Sequence, residues 1–119
     1  MTFYQNTKNI QDLEQQTIQL VTELIKQLKA QDLWQKDTPT LSQLTSTAPF
    51  CCDTLALEQW LQFIFIPKIQ LMIANHQPLP ENIALKPMAE EVFKYLNFNG
   101  TALIDVLSEI DQLLTAPRQ

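Results

Sequence analysis

Glycine is nearly absent from this chain of 119 residues, in which Gly100 is the only one. β-Hairpins and tight turns repeatedly need residues at positive φ, a conformation that glycine adopts without steric penalty. A sheet-rich fold would therefore be hard to turn, and a glycine loop that cradles phosphate is excluded. Glutamine, leucine, alanine, lysine and glutamate fill the periodic segments, and these residues lose little in a helix. We predict an all-α fold.

Cationic residues are also scarce. Eight lysines and arginines against 13 aspartates and glutamates leave a net charge of −5, and the only arginine is Arg118. Affinity for nucleic acids rests on Lys and Arg replacing the counterions of phosphates. We therefore expect no direct binding of nucleic acid.

We expect neither a signal peptide nor a membrane-spanning run. Its start, MTFYQNTKNI, has no charged n-region followed by an apolar stretch and a cleavage site. The most apolar window, 55–74, carries Glu58, Gln62, Pro67 and Lys68, which is too polar for a span of about 20 residues. We expect a cytosolic protein that does not enter a membrane, folded as one domain over residues 1–119.

Reactive side chains are few: Cys51 and Cys52 are adjacent, and His76 is the only histidine. A ring closed by adjacent cysteines is strained, and zinc needs four ligands. A Cys–His nucleophile pair needs a third group that orients the base, and no local signature supplies one. Glu90 and Glu91 are consecutive, so they point to different sides and form no acid/base pair. We expect no catalytic residue, metal or cofactor, and interpret the cysteines as small, partly buried residues in a reducing compartment.

Apolar spacing predicts a long first helix from Ile10 to about Trp34, with Asn9 as its N-cap. The same spacing approaches a coiled-coil heptad, which would seek a partner helix. Thr17 interrupts that seam and only about three heptads are present, so we favour a helix that faces the core of a bundle.

The segment STAPFCCDTLALEQWLQFIFIPKIQLMI, residues 46–73, predicts a central helix that is apolar almost all round. Asp53 or Thr54 is the predicted N-cap, and the helix should continue to about Asn75. Pro67 lacks an N–H and its ring clashes with the carbonyl four residues back. We therefore predict a kink or a restart of the helix at this proline.

Two further helices are predicted, over Pro87–Leu96 and Thr101–Thr115. A connection with Thr, Ser and Pro, Asp37–Pro49, precedes the central helix, and a proline-rich connection, Gln77–Pro87, precedes the third helix. Four helices make a small four-helix bundle with a proline-kinked central helix, and two long connections exclude the simplest up-down arrangement.

The central segment resembles the YqcC-like family, small bacterial proteins classed as a domain of unknown function. In that family a segment S-T-x-P-F-x-x-D-T precedes E-W-L-Q and I-P-[RK]-[MI], and P-L-P follows. The matching positions here are Ser46, Thr47, Pro49, Phe50, Asp53, Thr54, Trp60, Leu61, Gln62, Ile66, Pro67, Lys68, Pro78, Leu79 and Pro80. The chain departs from the pattern at Glu58-Gln59-Trp60, where a direct Glu-Trp step is common, and at Lys68, where arginine is common. A role that needs a bidentate guanidinium is therefore in doubt here.

The resemblance covers residues 46–80 by motif and the flanking helices by general pattern. It implies a four-helix bundle without an established activity. Genes of the family often lie beside one for a tRNA pseudouridine synthase, so the resemblance also implies a link to tRNA modification, with that synthase as a protein partner.

The residues selected as a binding site for a ligand or partner are Asp53, Thr54, Trp60, Gln62, Pro67 and Lys68. A kink at Pro67 would break the hydrogen-bond ladder beside the large amphipathic ring of Trp60 and open a groove. The opposing interpretation is structural: Asp53 caps, Trp60 packs and Pro67 shapes a core helix. The leading functional hypothesis is a non-catalytic accessory module that binds another protein. The alternative is a small-molecule-binding protein or enzyme that uses a pocket near the Pro67 kink.

Overall fold

The computed structural model describes residues 2–47, 55–94 and 100–115, with the backbone alone for residues 2–10. Every regular element in these ranges is helical, as the near absence of glycine predicts. The elements are α1 (Thr2–Ala30), α2 (Leu41–Leu44), α3 (Leu57–Trp60), a π-helical turn (Leu61–Phe65), α4 (Ile66–Ala74), α5 (Leu85–Phe93) and α6 (Thr101–Thr115). Because α3, the π turn and α4 are continuous, we call them together the central helix. The all-α prediction is confirmed, with four main helices and the short α2 in the first connection.

Helix α1 is longer at its start and shorter at its end than the apolar spacing predicts. It begins at Thr2, so Asn9 lies inside the helix and the prediction of an N-cap there is wrong. Polar residues can extend a helix ahead of its apolar stripe, because adding a residue to a formed helix is easy compared with nucleation. At the other end α1 stops at Ala30, four residues before Trp34.

The ends of α1 and the central helix are closed by residues in the left-handed region. Asp32 has φ 60° and His76 has φ 54°. The N–H of Leu33 bonds to the carbonyl of Leu28 at 2.8 Å, and that of Gln77 bonds to Met72 at 2.8 Å. These are Schellman motifs, in which glycine usually takes the left-handed position. The chain places Asp and His there instead.

The central helix accommodates Pro67 by changing its hydrogen-bond pattern. The π turn ends at Phe65, and the N–H of Ile66 bonds to the carbonyl of Leu61, five residues back. α4 then begins at Ile66, so Pro67 is its second residue and lies in its first turn, just after the π turn. The helix is therefore continuous through the proline, and its hydrogen-bond pattern changes at Ile66, one residue before it. The helix begins at Leu57, with Ala56 at the N-cap position, so Asp53 and Thr54 precede the cap and lie outside the described residues.

The four main helices share one apolar core. α1 supplies Val21, Leu24 and Leu28, while Thr17 is buried in the same stripe at 1% exposure. The Thr17 hydroxyl donates to the carbonyl of Leu13 at 2.7 Å, so its polar atom is satisfied without leaving the stripe. The other buried members of the core are Leu57, Leu61, Phe65, Ile66, Ile69, Leu79, Leu85, Ala89, Phe93, Leu103, Val106, Leu107, Ile110 and Leu114.

α6 has the predicted bounds, whereas α5 is displaced towards the N-terminus. α5 starts at Leu85 rather than at Pro87, and Leu96 lies outside the described residues. The shift follows from Asp111 of α6, whose carboxylate accepts from the N–H of Leu85 at 2.7 Å and from that of Lys86 at 2.8 Å. A carboxylate at that position supplies acceptors for the free N–H groups and complements the helix dipole.

The short helix α2 lies inside the predicted connection and has a local signal. Thr40 is its N-cap: the hydroxyl accepts from the N–H of Gln43 at 3.2 Å, and the Gln43 side chain accepts from the N–H of Thr40 at 2.9 Å. This is a capping box, and its Thr-x-x-Gln spacing is readable in the sequence. Among the described helices, none combines the length and apolarity that crossing a membrane requires.

Candidate functional site

The predicted site residues fall into three groups in the structure. Asp53 and Thr54 lie outside the described residues, as do Cys51 and Cys52. Trp60 and Gln62 belong to the central helix and face other parts of the protein. Pro67 and Lys68 are exposed. The six positions are therefore not all presented on one described surface.

Trp60 is half-buried at the end of α3. Its ring stacks on that of Phe65, with centroids 5.5 Å apart and planes inclined by 29°. Phe65 is itself a buried core residue, so this pair attaches the indole to the edge of the core. Such aromatic pairs add about 0.5–1.5 kcal/mol beyond the area they bury. Trp60 has a packing role, whatever it contributes to binding.

The Gln62 side chain is buried and its amide is already engaged. Its carbonyl oxygen accepts from the N–H of Gln35 at 2.8 Å, and its NH₂ donates to the carbonyl of Gln35 at 2.8 Å. The neighbouring Gln59 amide donates to the side chain of Gln35 at 3.1 Å. We call Gln35, Gln59 and Gln62 the glutamine clamp. It ties the segment after α1 to the central helix.

Lys68 differs from Gln62 in its surroundings, although the two are only six positions apart in the chain. The Lys68 side chain is exposed to solvent, while both polar ends of Gln62 bond to Gln35. Whether Gln62 and Lys68 serve one small-molecule site stays a prediction. Of the polar side chains proposed for a pocket near Pro67, that of Gln62 already bonds to the backbone of Gln35.

An apolar groove lies between α1 and α4 on the described surface. It has a volume of about 310 Å³ and is lined by Ile18, Val21, Thr22, Ile69, Gln70, Ile73 and Ala74. We call it the α1/α4 groove. None of its lining residues is charged, although the chain as a whole is acidic. Ile18 is 42% exposed at its edge, and Leu71, the neighbour of Gln70 on α4, is 61% exposed.

The directions of the two groove helices follow from contacts at their ends. Nδ1 of His76, just beyond α4, lies 3.5 Å from Oε2 of Glu14 near the start of α1. Gln62, before α4, contacts Gln35 beyond the end of α1. α1 and α4 are therefore antiparallel, and the groove runs along both.

A second groove, between α1 and α6, is more polar and more open. Its volume is about 430 Å³, and it is lined by Gln16, Gln19, Leu20, Glu109, Gln112 and Leu113. Amides and one carboxylate can accept hydrogen bonds from a cationic partner. The two leucines are half-buried at its base.

Chemistry-bearing clusters are sparse in the ranges with described side chains. There, no three His, Cys, Asp or Glu side chains come together in a way that could hold a metal ion. His76 lies two residues beyond Ala74, the last residue of the central helix, and its side chain is 81% exposed beside Glu14.

Some of the residues that join distant segments by side-chain hydrogen bonds, and residues that line the α1/α4 groove, were not predicted from the sequence. Gln35, Gln59 and Asp111 were not selected, because their partners are 24 to 27 residues away in the chain. Ile18 and Ile73 of the α1/α4 groove were not selected either, since an apolar stripe does not show which of its members the fold covers. No local pattern in the sequence identifies either set.

Comparison with known proteins supplies the family. The family model DUF446, described as tRNA pseudouridine synthase C, matches residues 16–113. An uncharacterized protein of Haemophilus influenzae is 34% identical over 103 residues, which is 87% of each chain. The uncharacterized protein YqcC of Escherichia coli is 31% identical over 86 residues, covering 72% of this chain and 79% of YqcC.

A solved structure and a longer relative complete the comparison. The solution NMR structure of E. coli YqcC superposes with a TM-score of 0.77 at 27% identity, covering 87% of this chain and 88% of that one. A protein of Pectobacterium carotovorum named tRNA pseudouridine synthase C is 30% identical over 69 residues. The match takes 58% of this chain but only 18% of that longer protein. The family model, the curated relatives and the superposed fold agree, so this chain belongs to the DUF446 family of YqcC-like proteins.

Proposed function

We propose that this protein is a non-catalytic accessory module that binds a tRNA pseudouridine synthase of the C type. The observation that carries the proposal is the Pectobacterium protein of that name, in which a segment similar to this chain makes up 18% of the length. A segment that shares a chain with an enzyme in one organism is a candidate to bind that enzyme where the two are separate. Tethering raises the effective concentration of an interaction that separate chains must achieve by affinity.

The charge of the chain supports a role through a partner. With a net charge of −5, it is poorly suited to bind tRNA phosphates directly. An enzyme that binds tRNA needs cationic surface, to which an acidic module is electrostatically attracted. We therefore propose that the chain binds the enzyme rather than the tRNA, and that it does so in the cytosol.

Co-expression with the tRNA pseudouridine synthase C of the same organism tests the proposal. We expect the two chains to co-purify and to form a complex in isothermal titration with the purified proteins. A pseudouridine synthase of another class, prepared in the same way, is the control and should not bind. Failure to detect a complex at low salt, where electrostatic attraction is strongest, would refute the proposal.

The non-catalytic part of the proposal has its own test. The purified chain, incubated with unmodified tRNA, should form no pseudouridine, while the synthase alone should do so. Pseudouridine made by this chain in the absence of the synthase would contradict the assignment as an accessory module.

A further inference from the structure

We propose that the groove between α1 and α6 is the surface that binds the synthase, and that it takes a cationic segment of that enzyme. We call it the α1/α6 groove, and its volume is about 430 Å³. The inference rests on the proposed function and adds where contact occurs and which side chains the partner presents. Those side chains are arginine and lysine, whose N–H groups and positive charge pair with carboxylates.

Both walls of the α1/α6 groove come from stretches of sequence without a cationic residue. Neither 11–25 of α1 nor 101–115 of α6 contains lysine, arginine or histidine, whereas the two ranges together hold six carboxylates. Two of the six are engaged elsewhere, since Glu14 lies 3.5 Å from His76 and Asp111 caps α5. The other four are Asp12, Glu23, Asp105 and Glu109.

These four carboxylates follow the groove on both helices. Glu109 is a lining residue. Each of the others lies four positions from a residue that lines the groove, Asp105 from Glu109, Asp12 from Gln16 and Glu23 from Gln19. Residues four apart share one face of a helix. Three of the four are exposed and Glu23 is half-buried, so we call them together the acidic face.

No ion pair among the described residues neutralises the acidic face. The pairs that the described chain forms are His76 with Glu14 and Lys94 with Glu91, and neither includes a member of the face. Glu23 accepts a hydrogen bond from the amide of Gln27 at 3.1 Å, but that donor is neutral and leaves the charge in place. Like charges on two packed helices repel one another, and a cationic partner removes that repulsion.

The uncharged lining residues suit the stem of an arginine or lysine as well as its charged head. Gln16, Gln19 and Gln112 supply amide oxygens that accept hydrogen bonds. Leu20 and Leu113 are half-buried at the base of the groove. Arginine and lysine lay their methylene stems along apolar surface while the charged end stays among polar groups. The lining therefore favours a cationic segment over a purely apolar one.

The length of the acidic face sets the size of the bound segment. Asp12 and Glu23 are eleven positions apart on α1, which is about 16 Å along the helix axis. About five residues of extended chain or about eleven residues of helix span that distance. A short basic segment of the synthase is therefore sufficient to cover the groove.

A second copy of this chain and the tRNA itself are poorer occupants. Each copy has a net charge of −5, and tRNA phosphates are anionic, so the acidic face repels both. An enzyme that acts on tRNA carries cationic surface for its substrate. Charge complementarity therefore selects the enzyme.

Isothermal titration of the purified synthase C against charge variants tests the inference. We expect Asp105→Lys and Glu109→Lys each to weaken binding by about five- to tenfold, because an attraction at the surface becomes a repulsion. Glu90→Lys is the matched control: Glu90 is an exposed carboxylate of α5 outside the groove lining, and the net charge changes by the same amount. Its affinity should stay within about twofold of wild type. Added NaCl should weaken the wild-type complex.

Glu109→Gln separates a role in binding from a role in the fold. The substitution removes the charge and keeps the size of the side chain. It should weaken binding while the melting temperature stays the same or rises, since repulsion along the groove decreases. A lower melting temperature would show that this carboxylate stabilises the fold and would contradict the inference.

The outcomes separate this inference from the proposed function. If the wild-type chain does not bind the synthase, the proposed function fails. If it binds and the two lysine variants of α6, with unchanged melting temperatures, bind equally well, the groove assignment is overturned while the proposed function stands. An equal loss with Glu90→Lys would show that only net charge matters and would also overturn the groove assignment. A wild-type affinity that salt does not change would exclude a cationic occupant.

Discussion

At the scale of single residues, this chain closes two helices with residues that carry a Cβ where glycine is usual. Asp32 and His76 have φ of 60° and 54°. The left-handed conformation brings the Cβ of an L-residue close to the following carbonyl oxygen. The surrounding Schellman bonds hold both residues there. Asp32 and His76 therefore each carry backbone strain that glycine at the same position would not have.

Replacing Asp32 with glycine should stabilise the protein. We expect Asp32→Gly to raise the free energy of unfolding by about 0.5 to 1 kcal/mol, since relief of the backbone strain exceeds the added freedom of the unfolded chain. Urea denaturation measures the change. Asp32→Ala is the control and should not stabilise, because alanine retains the Cβ. An Asp32→Gly variant less stable than Asp32→Ala would contradict the strain argument.

The glutamine clamp is a second feature at this scale. We expect Gln62→Leu to lower the free energy of unfolding by about 1–3 kcal/mol, because the N–H and carbonyl of Gln35 lose their partners. The amide of Gln35 should also exchange faster with solvent, which hydrogen-exchange NMR detects. Gln70→Leu on the same helix is the control, because that side chain is exposed. Unchanged exchange at Gln35 in the Gln62→Leu variant would show that the clamp does not hold this segment.

At the scale of helices, the ends are determined by contacts between distant segments as well as by local caps. α2 has a complete capping box of its own, Thr40 with Gln43. α5 has no cap from its N-cap residue Ala84, and Asp111 of α6 supplies the acceptors instead. In the central helix the change is one of hydrogen-bond pattern. The π turn ends at Phe65, and α4 follows with Pro67 in its first turn.

Removing the carboxylate that caps α5 should destabilise the protein. We expect Asp111→Ala to lower the free energy of unfolding by about 1–2 kcal/mol, because two N–H groups lose their acceptor and the helix dipole loses its counter-charge. Guanidinium denaturation provides the measurement. Asp105→Ala, an exposed aspartate on the same helix, is the control and should change stability little. Equal effects of the two substitutions would argue against the capping role.

At the scale of the whole molecule, the core and the α1/α4 groove use different faces of α1. Leu24 and Leu28 are fully buried among residues of the central helix, α5 and α6, whereas Ile18 remains 42% exposed. The helix that stabilises the bundle therefore also supplies apolar surface that the described chain leaves partly open. Substitutions at the exposed edge of the groove should therefore cost less stability than substitutions in the core.

Two substitutions on α1 should show that separation. Leu24→Ala is expected to lower the free energy of unfolding by about 2–5 kcal/mol, since it removes buried methyl groups and leaves a cavity. Ile18→Ala should lower it by about 1 kcal/mol or less, because much of that side chain is already in water. Thermal and urea unfolding of both variants provide the test. A large loss of stability in Ile18→Ala would show that the groove belongs to the core.

Much of the fold could be predicted from the sequence, because helix content depends on local signals. The single glycine argued against a sheet-rich fold, and the apolar spacing predicted the observed bounds of α6. The start of α5 could not be predicted, since its acceptor, Asp111, lies on another helix. α2 was predictable from Thr-x-x-Gln but was not predicted.

The candidate site was less predictable than the fold. Trp60 and Gln62 were selected for their chemistry, and the structure uses both in packing and hydrogen bonding within the chain. Whether the six predicted residues bind a partner stays a prediction. The α1/α4 groove could not be found in the sequence, because covered and uncovered apolar residues have the same spacing.

The sequence by itself determined that this protein is helical, where its apolar stripes run, and that the regular hydrogen-bond pattern of the central helix is disturbed beside Pro67. These properties depend on backbone sterics and on contacts within a few residues. Only the tertiary structure decided that Gln62 binds the backbone of Gln35, that Asp111 caps α5, and that α1 and α4 leave an uncharged groove between them. Those features join segments far apart in the chain, and their geometry is fixed only when the helices pack.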